Sequence, residues 1–111
     1  MAKRSTRDEL IARVSAARDF LHATHGSKAD LDTLAEVACL SRYHFLRLFR
    51  ELSGTTPAAY ARSLRLLRGR SLLQAGRSLS SARRAAGYGN AKAFARAYYR
   101  EFGTPLKLVQ N

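Results

Sequence analysis

Apolar residues recur at intervals of three or four along this chain, and no stretch alternates between apolar and polar positions as a β-strand does. The spacing therefore predicts an all-α protein. In the opening helix five apolar residues share one face: Leu10, Ile11, Val14, Ala17 and Leu21. Gly26 follows this run, at a place where glycine is typical of a helix end.

Helix starts are indicated by small polar residues, whose side chains can accept a hydrogen bond from a backbone N–H in the first turn. A capping box opens the first helix, formed by Ser5 with Asp8 or by Thr6 with Glu9. Later helices are expected to start at the following residues: Asp30, Ser41, Thr56 (followed by Pro57), Ser80 or Ser81, and Asn90. The pair Cys39-Leu40 predicts a tight turn, and the tail after Pro105 is expected to be frayed.

One helix in the middle of the chain is long, and it is expected to run from Ala58 to Ala75. Leu64, Leu67, Ser71 and Leu72 recur on one side of it, and arginines occupy the rest. A helix of about 18 residues spans about 27 Å, which is long enough to separate two small helical units.

One stretch of the sequence occurs twice. Phe45–Gly54 and Phe94–Gly103 place phenylalanine, arginine, an aromatic residue and glycine at the same internal spacing, 49 residues apart. A repeat of this length suggests a duplicated supersecondary unit. Each copy follows a short helix and a turn and closes on a glycine, which predicts two helix-turn-helix units.

Each copy of the repeat has an apolar face and a face with cationic, hydrogen-bonding groups when it is drawn as a helix. The apolar faces contain Phe45, Leu48, Phe49 and Leu52 in the first copy, and Phe94, Ala97, Tyr98 and, less centrally, Phe102 in the second. The opposite faces contain Tyr43, Arg47 and Arg50, and Lys92, Arg96 and Tyr99. A face of this kind suits a helix that enters the major groove of DNA.

The charge of the chain supports a polyanionic partner. Its 111 residues include 20 Lys and Arg against 8 Asp and Glu, a formal net charge of +12. Nucleic acid is the first partner to expect from this balance, with anionic membranes and acidic proteins as competitors. A single cysteine excludes an internal disulfide framework. The sequence has neither an apolar run of membrane-spanning length nor a signal-peptide pattern, so we expect a cytoplasmic protein.

The ordered pattern of these residues resembles the DNA-binding domain of the bacterial AraC/XylS transcription regulators, over about residues 8–106. The resemblance is carried by the residues Leu34-Ala35, Cys39-Leu40-Ser41, Phe45, Arg47, Phe49, Gly54, Pro57, Tyr60, Arg65-Leu66, Leu72-Leu73, Gly87-Tyr88, Phe94, Arg96, Tyr98, Gly103 and Pro105. It implies an all-α domain of about seven helices. Two helix-turn-helix subdomains, at about 31–53 and 80–102, would be joined by a long linker helix at about 57–75.

The resemblance also implies a function and partners. Two recognition helices would enter successive major grooves of double-stranded promoter DNA, with the protein bound as a monomer and in contact with RNA polymerase. Activation is the commoner outcome in the family and repression the rarer one. The family resemblance further implies a short, stand-alone regulator, with an excised C-terminal domain of a longer regulator as the alternative.

Several residues depart from the family pattern. Arg83 replaces a small inward-facing alanine, so its side chain must snorkel or displace its helix. Cys39 replaces the usual turn glycine, and Gly69 stands in mid-helix where alanine is usual, at a cost of about 1 kcal/mol. Lys92-Ala93 replaces a more polar pair. We infer that the first unit reads more of the base sequence and that the second binds with more phosphate character.

The candidate DNA contacts fall into two groups. Base contacts are predicted for Tyr43, Leu46, Arg47, Lys92 and Arg96, because bidentate arginine to guanine is the commonest specific contact. Phosphate contacts are predicted for Ser41, Arg42, Arg50, Asn90, Tyr99, Arg100, Arg62 and Arg65. The alternatives are ordinary ones: a solvated arginine or a salt bridge, partial burial of Leu46, a Tyr43 ring that covers the helix start, and an Arg65 that braces the two units.

Catalysis, metal binding and cofactor binding find little support in the sequence. His22 and His25 form an H-x2-H pair, but one cysteine and scattered carboxylates make a metal site a poor interpretation. A phosphate-binding glycine loop and a Ser/His/Asp arrangement are both missing from the sequence, so we expect no enzyme. The alternatives to a DNA-binding regulator are a protein-binding module that acts on RNA polymerase or another regulator, and a non-specific DNA or RNA binder.

Overall fold

All regular secondary structure in the computed structural model is helical, over the described residues 6–109. Six α-helices are followed by one 3-10 turn: α1 (Thr6–Ala23), α2 (Leu31–Ala38), α3 (Arg42–Ser53), α4 (Pro57–Gln74), α5 (Leu79–Ala85), α6 (Ala91–Phe102) and η1 (Leu106–Leu108). The all-α prediction is therefore confirmed. The capping role predicted for Ser5 lies outside the described residues.

The chain divides into two compact units, Met1–Ala61 and Arg62–Asn111. In the first unit, α1 packs against both α2 and α3. Its core is made of apolar residues that are fully buried, among them Leu21, Leu34, Phe45 and Phe49. The Phe45 and Phe49 rings lie 5.6 Å apart between centroids, and Tyr60 at the start of α4 contacts the Phe49 ring edge-on.

The second unit has its own core, formed where α5, α6 and η1 pack around the later turns of α4. Phe94 and Tyr98 lie at its centre and meet edge to face. Tyr98 also contacts Phe102, and the Arg70 guanidinium lies 4.1 Å from the centroid of the Phe102 ring, within cation–π range. Each unit therefore has the buried apolar centre that a packed helical unit needs.

The three-helix pattern of the first unit recurs in the second. Helices α1 and α4 both have 18 residues, α2 and α5 have 8 and 7, and α3 and α6 both have 12. A shift of 49 residues places α1 on residues 55–72, within two residues of α4. The duplication predicted from the sequence covered the two helix-turn-helix units, with α4 as a linker between them. Helix α4 is also the first helix of the second copy.

The buried side of α4 only partly matches the side on which apolar residues recur in the sequence. The buried residues are Pro57, Ala61, Leu66, Gly69 and Leu73. Leu64 and Leu72 are half-buried, whereas Leu67 is 39% exposed and Ser71 is exposed. Leucines occupy several sides of this helix, so its hydrophobic periodicity is weak and tertiary packing decides which side is buried.

Gly69 owes its place to a close approach of helices within the second unit. A Cβ at this position would lie 3.2 Å from the Ala82 carbonyl oxygen and 3.2 Å from Cζ of Phe94. The missing side chain thus lets α5 and α6 pack closely on α4, which offsets the low helix propensity of glycine.

Most of the predicted caps are confirmed. Asp30, Ser41 and Asn90 each accept a hydrogen bond from the backbone N–H three residues later, at 3.0, 3.2 and 2.8 Å. Thr56 caps α4 in the same way. The start of α5 differs from the prediction: Ser78, not Ser80 or Ser81, is the N-cap, and its hydroxyl accepts from the Ser81 N–H at 3.0 Å.

Two further expectations about packing are wrong. The tail is not frayed as far as residue 109, because η1 places Leu106, 8% exposed, in the core of the second unit. Leu52 was placed on the buried face of α3 but is 45% exposed. It lies in the last turn of α3 and lines, with Ile11 and Leu48, an open cavity of about 380 Å³.

Candidate nucleic-acid interface

The turn between α2 and α3 sets the direction of the first candidate reading helix. Cys39 adopts the left-handed conformation with φ 55° and ψ 42°. The Leu40 N–H donates to the Ala35 carbonyl and the Cys39 N–H to the Glu36 carbonyl, both at 3.0 Å. This pair of bonds is a Schellman motif, a helix ending in which glycine is usual. The predicted tight turn is therefore made with a side chain in place of glycine's freedom.

The turn between α5 and α6 uses the same motif with a glycine. Gly87 has φ 84°, the Tyr88 N–H donates to the Arg83 carbonyl at 3.1 Å, and the Gly87 N–H donates to Arg84 at 3.0 Å. Gly89 then makes this turn one residue longer than the first before the cap at Asn90. The second unit therefore reaches α6, its candidate reading helix, through a longer turn.

In each unit an arginine from the long first helix braces the end of the second helix. Arg13 of α1 donates to the Cys39 carbonyl at 3.2 Å, and Arg65 of α4 donates through Nε to the Ala86 carbonyl, also at 3.2 Å. Carbonyls at a helix C-terminus lack partners inside the helix and carry partial negative charge, so a guanidinium stabilises them. Arg65 thus braces a turn inside the second unit, and its phosphate contact stays a prediction.

Arg83 snorkels, the first of the two outcomes expected for it. Its side chain is half-buried, and Nη1 donates to the Tyr88 carbonyl at 2.7 Å. Helix α5 keeps its packing, because Ala82 and Ala86 remain fully buried. The bond to Tyr88 ties the turn to α5, so this arginine stabilises the approach to α6.

The outward face of α3 carries the residues predicted to read bases. Tyr43 is 75% exposed, the Arg47 side chain is 65% exposed, and Leu46 is half-buried. We call this the α3 surface, an open cavity of about 330 Å³ lined by Tyr43, Leu46, Arg47, Arg50 and Glu51. Glu51 was not among the predicted site residues. Its carboxylate Oε1 lies 3.3 Å from Arg47 Nε.

Two predicted phosphate contacts flank the start of α3. Arg42 pairs with Asp32 of α2, with 3.0 Å between Nε and Oδ1, and both side chains are about two-thirds exposed. An exposed pair of this kind is weak and exchanges readily for another anion. The Ser41 hydroxyl oxygen is already the acceptor for the His44 N–H, so Ser41 offers phosphate its hydroxyl proton and the neighbouring helix N–H groups.

The outward face of α6 presents the equivalent positions of the second copy. Ala95, Arg96, Tyr99 and Arg100 correspond to Leu46, Arg47, Arg50 and Glu51 at the 49-residue offset. They line the α6 surface, an open cavity of about 820 Å³ completed by Gly103, Pro105 and Leu106. Lys92 and Arg96 are exposed, and Tyr99 is 57% exposed.

The two surfaces differ in charge. The α3 surface holds two arginines and one glutamate, whereas the α6 surface holds two arginines and no carboxylate among its lining residues. Outside these surfaces each helix has one further cation, Arg42 on α3 and Lys92 on α6, and α6 also carries Glu101. A surface with only cations attracts phosphates more strongly than one in which a carboxylate sits beside the arginines.

Metal binding gains no support within residues 6–109, where groups of three or more potential ligands are absent. His22 pairs with the Tyr60 hydroxyl at 2.6 Å, and His25 lies in a turn with positive φ. None of the helices in this described range combines the length and apolar character required to cross a bilayer.

Comparisons with known proteins agree on the type of fold. Residues 34–111 match a family model described as a helix-turn-helix domain. An AraC-type DNA-binding regulator from Chromobacterium violaceum is 27% identical in sequence, with a TM-score of 0.81 over 90% of each chain. Curated protein sequences yield no match.

Two further solved structures share the fold at lower identity. The C-terminal domain of AraT, a response regulator from Geobacillus stearothermophilus, is 18% identical, with a TM-score of 0.77 over 91% of this chain and 85% of its own. A probable AraC family regulator from Rhodopseudomonas palustris CGA009 is 22% identical, with a TM-score of 0.76 over 90% of this chain and 99% of its own.

Proposed function

Because this chain belongs to the AraC family of helix-turn-helix DNA-binding transcription regulators, we propose that it selects a promoter by reading two short groups of base pairs about one helical turn apart. Helix α3 enters one major groove and α6 the next, as helix-turn-helix proteins place their second helix. The observation that carries this proposal is the recurrence of one exposed surface, at equivalent positions, in both copies of the repeat.

Association begins with charge. A formal net charge of +12 attracts the chain to any DNA and makes binding sensitive to salt. Phosphate contacts then fix the register of each helix, and we assign them to Ser41, Arg42, Arg50, Arg62, Arg65, Asn90, Tyr99 and Arg100. These contacts carry no direct sequence information, so discrimination between promoters depends on the residues that reach base edges.

Base reading centres on Arg47 and Arg96. Each occupies the same place in its copy, and each can donate two hydrogen bonds to O6 and N7 of guanine. Tyr43 and Leu46 offer apolar contact to a thymine methyl group, and Lys92 offers a donor at the start of α6. The more cationic α6 surface supports a second unit that holds phosphates more than it reads bases.

Contact with RNA polymerase, activation of transcription and action as a monomer in the cytoplasm complete the proposal, on the strength of the family. One observation favours the alternative of a protein-binding module. Ile11 and Leu52 expose apolar surface on α1 and α3 that a protein partner could cover. Pull-down of RNA polymerase in the absence of promoter DNA would support this alternative.

The decisive experiment is selection of duplexes from a random pool by the purified chain near physiological salt, followed by sequencing. Two enriched blocks about one turn apart are expected. One block with a featureless flank would mean that the second unit acts as a phosphate clamp. Failure to enrich any sequence would contradict the proposal and favour a protein partner or non-specific binding.

A further inference from the structure

We propose that Glu51 is a positioning and specificity residue of the first reading helix, acting through Arg47. The inference rests on the proposed function, because it concerns how Arg47 meets a base. It begins from the bond between the two side chains, in which Arg47 Nε lies 3.3 Å from Glu51 Oε1.

The atom that makes this bond decides what remains for DNA. Nε lies on one edge of the guanidinium, and its bond to the carboxylate leaves both terminal nitrogens, Nη1 and Nη2, to donate. These two donors match O6 and N7 of guanine in an end-on, bidentate contact. Glu51 therefore binds Arg47 at Nε and leaves Nη1 and Nη2 directed at the base.

Folding stability does not account for the pair. The two side chains are 65% and 58% exposed, and an exposed ion pair one helical turn apart contributes little to stability. Glu51 also lies where a carboxylate is otherwise unfavourable. It lines the α3 surface beside Tyr43 and Leu46, and there it repels phosphates and any base edge that offers only acceptors.

The second copy of the repeat also supports a specific role for Glu51. The position equivalent to Glu51 is Arg100, so Arg96 has an arginine where Arg47 has a carboxylate. Arg96 is thus without this edge contact to a residue four positions later. Oε2 of Glu51 can in addition accept from the amino group of a neighbouring cytosine or adenine. The α3 surface is therefore built for base discrimination, and the α6 surface for attraction.

Three variants of the whole chain separate positioning from charge: Glu51→Ala, Glu51→Gln and the matched control Glu101→Ala. Each removes one exposed carboxylate charge from a reading helix. An effect of charge alone at the α3 surface would therefore appear equally in Glu51→Ala and Glu51→Gln, while Glu101→Ala controls for the net charge of the chain. Only Glu51→Ala removes the acceptor for Arg47 Nε, since glutamine keeps a side-chain oxygen.

Binding is measured on the selected duplex and on three duplexes that differ at the base pair where Arg47→Ala loses its preference. We expect Glu51→Ala to lower discrimination at that pair about fivefold or more, a size typical of one good base contact. Glu51→Gln should keep part of the discrimination and Glu101→Ala all of it. In the Arg47→Ala background, Glu51→Ala should cause no further change in discrimination at that base pair, because Glu51 acts there through Arg47.

Three results would overturn the inference. Unchanged discrimination in Glu51→Ala, while Arg47→Ala abolishes it, would sink the role of Glu51 and leave the proposed function standing. Equal loss of discrimination in Glu51→Ala and Glu51→Gln would show that Glu51 acts only through its charge. Absence of any sequence preference in the unmodified chain would instead overturn the proposed function, and this inference with it.

Discussion

Cys39 and Gly87 occupy the same place in the two turns, yet only one of them is a glycine. Both have positive φ, at 55° and 84°. A residue with a Cβ pays about 1–2 kcal/mol for the left-handed conformation, and glycine does not. The first turn therefore holds strain that the second lacks, and this strain lies directly before the start of α3.

Replacement of Cys39 should release this strain. We expect Cys39→Gly to raise the free energy of unfolding by about 1 kcal/mol relative to Cys39→Ala, which loses the thiol but keeps the Cβ. Urea denaturation followed by circular dichroism measures the difference. Gly87→Ala should lower stability by a similar amount, since φ is 84° there. Equal stability of Cys39→Gly and Cys39→Ala would show that the turn is unstrained.

Asp30 gives the first unit an acid-sensitive cap. Hydrogen bonds from the Thr33 hydroxyl and backbone N–H lower the pKa of its carboxyl below the usual 3.8. The unfolded chain binds the proton more readily, so the cap contributes stability above pH 3.8 that is lost as the pH falls through the lower, folded pKa.

The pH dependence of unfolding tests this assignment. Asn caps as well as Asp but does not titrate, so Asp30→Asn should flatten the loss of thermal stability in acid while leaving neutral stability nearly unchanged. The control is Asp32→Asn, because the carboxylate of Asp32 forms an exposed ion pair with Arg42. An identical acid profile for the Asp30→Asn variant and the unmodified chain would contradict the role of Asp30.

Arg47 and Arg50 should differ in what they contribute to DNA binding. Arg47→Ala should cost about 1–3 kcal/mol on the selected site and relax specificity at one position. Arg50→Ala should weaken binding to all sequences alike and lower the salt slope by about one. Titrations on selected and scrambled duplexes at several salt concentrations distinguish the two. An unchanged preferred site for Arg47→Ala would show that the groove assignment is wrong.

At the scale of elements, η1 offers an internal comparison. Leu106 is 8% exposed and Leu108 is 70% exposed within the same short turn. Leu106→Ala should lower the free energy of unfolding by about 2–4 kcal/mol, because it empties part of a packed core. Leu108→Ala should change it by less than about 0.5 kcal/mol. Comparable effects in chemical denaturation would mean that the tail does not close the second unit.

Elements whose ends carry a local signal were predictable from the sequence. Asp30, Ser41 and Asn90 cap helices because a short polar side chain before an apolar run reaches its own backbone. The start of α5 was missed because three serines, at 78, 80 and 81, compete for one role. Only the geometry of the turn shows that the first of them is the cap.

Features that depend on contacts between elements were not predictable. Leucines on several sides of α4 made two faces look equally apolar, and packing within the second unit chose the one with Leu66 and Leu73. Leu52 fits the apolar face of α3, but the spacing of apolar residues does not show that no other helix covers the last turn of α3. Glu51 was not predicted as a site residue, because a carboxylate is unfavourable on a helix expected to bind DNA. Its contact with Arg47 is visible only in the structure.

At the scale of the whole molecule, charge predicts how binding responds to salt. Five of the predicted phosphate contacts are arginines: Arg42, Arg50, Arg62, Arg65 and Arg100. At about −0.9 for each neutralised phosphate, the logarithm of the binding constant should fall with the logarithm of salt concentration with a slope of about −4.5.

Selected and scrambled duplexes should give similar salt slopes, because phosphates are present in both. Both slopes are measured by fluorescence anisotropy titrations between about 50 and 200 mM salt, the range over which phosphate contacts weaken strongly. Leu108→Ala serves as a neutral surface control. A slope near zero would mean that few phosphates are neutralised, and the assignment of these arginines would be wrong.

Helix α4 also bears on the history of the gene. A repeat of 49 residues indicates that a segment encoding three helices was once copied in tandem, and a tandem copy is normally easy to lose by deletion. Here the first turns of the second copy have become part of the first unit, where Pro57 and Ala61 are buried and Tyr60 packs on Phe49. Deletion of the second copy would open the core of the first. We therefore expect descendants of this gene to retain both copies even where the outward-facing residues of α6 diverge.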